Sequence, residues 1–161
     1  MRVVTIGVYG FDRGRFLDAL RGADVGLVLD LRQRRGVRGS EYAWANSLRL
    51  QAALAAASID YRHLPALAPT TELRQLQYRE DDRLGVGKRS RAVLADAYRE
   101  RYTHEILDRA DLDAIGAELA AAGTTALLCV ELEPAACHRS IAAQRIAERF
   151  GLTLTHLRPP V

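Results

Sequence analysis

Long apolar runs are missing from this chain of 161 residues. No stretch approaches the roughly 20 apolar residues that a membrane-spanning helix needs, so no membrane partner is expected. The first residues, "MRVVTIGVYG", enter a strand-like run at once. They have neither the long apolar region nor the small-residue cleavage site of a signal peptide; a cytoplasmic location is the expectation. Cysteine is scarce, with only Cys129 and Cys137, too few for a disulfide framework. In a reducing compartment the two are buried thiols, a reactive pair or metal ligands. Lysine occurs once, at Lys88, so the net charge of +3 and the pI near 9.1 rest on arginine. Arginine grips phosphate or carboxylate through a two-pronged fork, although heavy arginine and alanine use also follows from genomic bias. A charge of this size does not by itself define a nucleic-acid-binding protein. No G-x-x-x-x-G-K-[ST] occurs and no G-x-G-x-x-G follows a strand, so a P-loop and a dinucleotide site of that type have no support.

What is present is an ordinary globular balance, 48% hydrophobic and 27% charged, on a chain long enough for one domain with a real core. Residues 1–161 carry no internal repeat, linker or low-complexity tail and read as a single domain. "VVTIGV" (3–8) and "VGLVLDL" (25–31) are continuous apolar strands; between them Asp12 caps a helix whose face is Phe16, Leu17 and Leu20, with Gly22 at its end. A basic loop, "RQRRGVRGSEY", precedes a helix over 46–57 with Asn46 as its cap and Leu50 and Leu54 on one face. "IDYRHL" (59–64) is a short third strand. The stretch 65–87 mixes loop signals with one short helix near 71–80. Ser90 is placed as the cap of a long helix, 91–108, striped by Leu94, Tyr98, Tyr102 and Ile106. Asp111 starts a helix ending at Gly123, 125–131 is a strand, 137–149 a helix and 152–157 the last strand. Apolar strands alternating with helices predict an α/β fold: a mostly parallel sheet of about five strands with helices on both faces.

In such a sheet every strand ends on the same edge, where ligands bind. The residues delivered there are Tyr9 after the first strand, Asp30 and Arg32 after the second and Tyr61 and His63 from the third. The fourth brings Cys129, Glu131, Cys137, His138 and Arg139, and the last His156. Three of the four histidines segregate to this edge, which scattered surface histidines would not do. A thiol at a helix N-terminus is acidified and an anion is attracted there. This makes Cys137 a candidate nucleophile, Glu131 and His138 candidate proton carriers and Arg139 a candidate anion fork. The structural alternative is a buried Cys137, a capping His138 and an Arg139 paired with Glu131. Asp30 and Arg32 form either a ligand-orienting couple or a structural salt bridge. Cys129, Cys137, His138, His63 and His156 carry zinc-type donors, but C-x7-C-H matches none of the usual tight pairs, and no metal is expected.

The segments "TIGVYG", "LVLDLRQRR", "IDYRHLPAL" and above all "LLCVELEPAACHRSIAAQRIAERFG" followed by "LTHL" resemble the DUF488 family of small bacterial and archaeal proteins. The resemblance marks Thr5, Gly7, Asp30, Arg32, Tyr61, His63, Cys129, Glu131, Pro134, Cys137, His138, Arg139 and His156. Two departures stand on the presumed ligand edge. Leu67-Ala68-Pro69 replaces a "LGG"-like turn, and "QRRGVRGSEY" replaces a proline-containing loop. The family carries no general activity, so the resemblance implies none, and no cofactor is implied.

Three functions remain open at this stage. One is an enzyme or enzyme-like domain binding a small anionic, nucleotide-like ligand, with Arg139, Arg32, Asp30, His63, Tyr9, Tyr61 and Cys129 around it. Another is a nucleic-acid-binding module using Arg34, Arg35 and Arg38, with Tyr42 and Trp44 as stacking aromatics. The third is a structural or regulatory partner protein.

Overall fold

The computed structural model describes residues 1–161. Its strands are β1 (Arg2–Ile6), β2 (Val25–Asp30), β3 (Asp60–His63), β4 (Thr124–Leu128) and β5 (Thr153–His156), in the sheet order β3-β2-β4-β1-β5. All four pairings are parallel. The inner strands β1, β2 and β4 are buried along almost their whole length, whereas the edge strands β3 and β5 alternate exposed and half-buried residues. That difference is why the inner three read as unbroken apolar runs.

Helices cover both faces. On one, α1 (Arg13–Gly22) and α2 (Ser47–Ala56) lay Phe16, Leu20, Leu50 and Leu54 against Val4, Ile6, Val28 and Leu128. On the other lie α3 (Thr71–Leu84), α4 (Asp96–Glu105), α5 (Leu112–Ala122) and α6 (His138–Phe150). They pack Leu73, Tyr98, Tyr102, Leu119 and Ile146 against Val3, Leu29 and Leu127. Each such fully buried side chain contributes about 1.5–3 kcal/mol. Asp12, Thr70 and Asp111 cap α1, α3 and α5 by accepting from Arg15, Leu73 and Ala114 backbone N–H groups at 2.8, 3.2 and 3.1 Å. Gly85 and Gly151 close α3 and α6 at φ 70° and 63°, a left-handed turn that suits glycine.

Several boundaries differ from the sequence reading. The expected helix over 91–108 begins only at Asp96, because acceptors from elsewhere in the fold capture the preceding backbone: Ala95 N–H donates to Gln77 Oε1 at 2.8 Å and Leu94 N–H to the Ala135 carbonyl at 3.0 Å. Ser90 caps no helix; its hydroxyl accepts the Gly87 N–H at 3.0 Å. Asn46 precedes α2, but its side chain instead accepts the Val37 N–H at 2.8 Å, pinning the basic loop. Gly22 is the last residue of α1, and the left-handed residue after it is Asp24 at φ 55°. β4 stops at Leu128, so Cys129 and Glu131 lie beyond the strand, on the sheet edge. No helix is long and apolar enough to cross a membrane.

Candidate functional site

The chain leaving β4 is fastened to its neighbours before α6 begins. Val8 and Tyr9 N–H groups both donate to the Val130 carbonyl, at 3.0 and 2.9 Å, and Leu31 N–H to Leu128 at 3.0 Å. A short 3-10 turn, Pro134–Ala136, then leads to Cys137, the extended N-cap residue of α6. This path returns Cys137 and His138 to the side of Cys129. His138 Nε2 lies 2.8 Å from the Leu31 carbonyl. A carbonyl only accepts, so Nε2 carries the proton and Nδ1 faces inward. Both sulfurs stand 3.7 Å from that Nδ1. Cys129 Sγ also donates to Glu131 Oε2 at 3.4 Å. Both cysteines are free and buried.

These groups set one another's protonation. Burial pushes the Cys137 thiol up, but the neighbouring Cys129 and the cations of His138 and Arg139 outweigh it, and the pKa falls well below the ordinary thiol value. Burial, together with Cys137, drives Cys129 well above that value. Burial lowers His138, yet Cys137 and Glu131 more than compensate and leave it raised. Glu131 is raised by burial and by Cys137, against the pull of Lys88 and Arg91. The centre therefore favours one thiolate beside an imidazolium, with the second sulfur kept as a thiol.

Above this centre opens a cleft of ≈ 870 Å³, with Cys129, Glu131 and His138 at its base. The basic loop supplies Arg34 and Arg38 to one wall, and α3 with the following segment supplies Tyr78, Lys88 and Arg89 to the other. Lys88 is half-buried. Burial lowers its pKa, and the charges of Glu131 and Cys129 more than restore it, acting through space without a hydrogen bond. Arg91 is the fixed member of the wall. It grips Asp81 with Nε at 3.0 Å and Nη2 at 2.8 Å, and its Nη1 reaches the Ala136 carbonyl at 3.0 Å and Glu131 Oε1 at 3.4 Å. Sequence reasoning passed over Lys88, Arg91 and Asp81. The available signals were the lone lysine and the Gln77–Asp81 pair, spaced to share one face of α3 and joined at 2.8 Å.

The expected residues divide into two groups. Cys129, Glu131, His138 and Tyr9 line the cleft, and Cys137 sits directly behind them, 1% exposed. Arg32 touches the cleft, but its guanidinium is committed to Asp30, through Nε at 2.9 Å and Nη2 at 2.8 Å, and to the Ala45 carbonyl at 2.9 Å. Asp30 is wholly buried and also accepts from the Tyr61 hydroxyl at 2.6 Å. Asp30, Arg32 and Tyr61 thus form a structural ion-pair network instead of a ligand cradle. His63 donates to the Arg32 carbonyl at 2.8 Å, outside the cleft. Arg139 also lies outside the cleft. It is fully buried, donates to the Glu131 and Leu132 carbonyls at 2.7 and 3.4 Å, and binds the motif's own loop, not the Glu131 carboxylate. Gly7 makes this possible, since a Cβ there would strike the Glu131 carbonyl and press on the Arg139 guanidinium at 3.1 and 3.2 Å. His156 bonds Thr5 Oγ1 at 2.7 Å, away from the thiols.

The residues of the nucleic-acid reading also part company. Arg34 and Arg38 edge the cleft, whereas Arg35 reaches the Tyr61 hydroxyl at 3.4 Å. Trp44 packs on Phe16 with ring centroids 4.9 Å apart, and Tyr42 packs on Tyr9 at 5.2 Å. Arg89 covers the rings of both Tyr9 and Tyr42, at 5.2 and 5.3 Å. Neither aromatic stands free as a stacking platform.

Fold and site together define a parallel α/β domain with a cationic cleft and a buried two-thiol, one-imidazole centre at the C-terminal edge of its sheet. The family model described as "Domain of unknown function DUF488" matches residues 12–146, and the chain belongs to that family. The match spans the whole of 129–139 and leaves out Thr5, Gly7, Tyr9 and His156. No curated protein and no solved structure matches the chain.

Proposed function

We propose that this protein is an enzyme or enzyme-like domain that takes a small anionic, nucleotide-like ligand into the cleft. The observation that carries this reading is Lys88, a half-buried cation without a hydrogen-bonded partner that lines the same cleft as Glu131 and Cys129 and feels their charge. An anion there meets Lys88 first and the more exposed arginines, Arg34, Arg38 and Arg89, at the mouth. Cys129 borders the cleft and Cys137 does not, so in this reading Cys129 is the thiol that meets the ligand. Glu131 Oε2, which accepts the Cys129 S–H and is steered by Arg91, is placed to take that proton and exchange it with the ligand, and the His138 imidazolium stands beside both sulfurs to balance a thiolate. Residues 1–161 act as one unit, and two free thiols suit the reducing cytoplasm.

Lys88→Ala tests it. A charge-assisted contact is worth about 1.5–3 kcal/mol, so affinity for inorganic phosphate or a nucleoside monophosphate should fall about 10- to 150-fold, read by calorimetric titration. Unchanged affinity would remove the reading. Binding should also survive about 0.5 M salt, whereas nucleic-acid binding by the rim arginines would fall steeply.

A further inference from the structure

We propose that Cys129, Cys137 and His138 together bind one divalent transition-metal ion, zinc by the chemistry of its donors, with a fourth position reachable from the cleft. This goes beyond the anion reading and does not depend on it.

The argument begins with distance. The two sulfurs and Nδ1 all lie within 4.8 Å of one another. Each sulfur is 3.7 Å from Nδ1. Zinc–sulfur bonds of about 2.3 Å and zinc–nitrogen bonds of about 2.0–2.1 Å set a tetrahedral S···N edge of about 3.6 Å. Both sulfur-to-nitrogen edges already stand at that spacing, and the sulfur-to-sulfur edge, within 4.8 Å, would close to about 3.8 Å around the ion.

Orientation agrees. His138 gives its Nε2 proton to the Leu31 carbonyl at 2.8 Å. That fixes the ring with Nδ1 3.7 Å from each sulfur, where an incoming ion would displace its proton; a carbonyl on the other ring nitrogen is the support that metal-ligating histidines commonly have. Position agrees as well. Cys129 directly follows β4, with its N–H bonded to the Ile6 carbonyl at 3.2 Å, and Cys137 and His138 cap and open α6, so the donors adjoin regular elements whose backbones are held independently of any ion. The seven residues between the cysteines form a closed excursion through Pro134–Ala136, which is how a spacing unlike the usual tight pairs still brings the donors together.

Donor chemistry selects the ion. Two thiolates and an imidazole suit zinc, and hard oxygen-seeking ions are disfavoured. Three protein donors leave a fourth position, as in open zinc sites. Cys129 and His138 border the cleft, with Glu131 beside them and Lys88 facing them. A ligand entering the cleft would therefore reach the ion. Zinc binding and nucleophilic thiol chemistry exclude each other here, because the ion engages both sulfurs; the metal-free protein carries the reactive thiol.

The test titrates chelator-treated full-length protein with Zn²⁺ against a chelating dye, and with Co²⁺ by absorbance. One equivalent should bind, and Co²⁺ should give a thiolate-to-cobalt charge-transfer band with tetrahedral ligand-field bands. Cys129→Ser and Cys137→Ser should each weaken zinc by more than about 100-fold and Glu131→Gln by no more than about 10-fold. Lys88→Ala should leave zinc binding intact while losing phosphate, which separates this inference from the anion reading. Absence of the charge-transfer band in the wild-type protein would overturn the proposal even if the serine variants fail to fold. Wild-type zinc affinity in Cys129→Ser/Cys137→Ser would overturn it too.

Discussion

Arg32→Ala discriminates most sharply between a scaffold and a ligand-binding role for the Asp30–Arg32 couple. Asp30 is completely buried and Arg32 is 1% exposed. The carboxylate accepts from Arg32 Nε, Nη2 and backbone N–H at 2.9, 2.8 and 3.1 Å, and from Tyr61 at 2.6 Å. Truncation removes both guanidinium contacts and leaves a buried carboxylate with one hydroxyl and one amide. It also strips the Ala45 carbonyl of its 2.9 Å donor. Breaking a buried ion pair from one side costs about 3–5 kcal/mol, a large part of the roughly 5–15 kcal/mol that holds a domain together. For a chain of this size the melting temperature should fall by about 6–20 °C. Thermal and urea unfolding followed by circular dichroism measure the melting temperature and the free-energy loss. If Arg32→Ala lost less than about 1 kcal/mol while phosphate affinity collapsed, the assignment of Arg32 to the scaffold would be wrong.

Gly7→Ala should destabilise the protein by several kcal/mol, on the order of the large values that follow from overpacking beside a buried charge network. The new methyl meets the Glu131 carbonyl and the Arg139 guanidinium; a neutral result in thermal unfolding would show that the motif backbone yields easily. His156 supplies a pH prediction. Burial, then Arg139 and Arg158, lower its pKa below the ordinary histidine value, so the unfolded chain takes up the proton first. Stability should fall as pH drops through about 6.5 and level off below the folded-state pKa. His156→Gln should flatten that limb relative to wild type; identical pH profiles would contradict it.

The inner strands were legible because burial on both faces leaves an unbroken apolar signature, as in "VGLVLD" and "TTALL". Convergence of Cys129, Glu131, Cys137 and His138 at one edge also followed from the alternation of strands and helices, since a parallel sheet delivers every strand end to the same side. The arginines were harder. Arg32 and Arg139 look in sequence like anion forks, and only the fold shows the Arg32 guanidinium ending on Asp30 and Ala45 and the two Nη groups of Arg139 on backbone carbonyls, with Arg139 Nε buried and unpaired. Lys88, Arg91 and Asp81 were missed for a related reason. The segment between α3 and α4 is held by buried polar contacts such as Gln77 to Ala95, and these leave no apolar period to read.

The central claim is that the anion site is the Lys88 cleft and not the N-terminus of α6 at Arg139. A crystal structure of the protein soaked with tungstate, an electron-dense oxyanion, tests this most directly. The account predicts density within hydrogen-bond distance of Lys88 Nζ, above Cys129 and His138. Density against Arg139 or beside His156, with the Lys88 cleft empty, would contradict it.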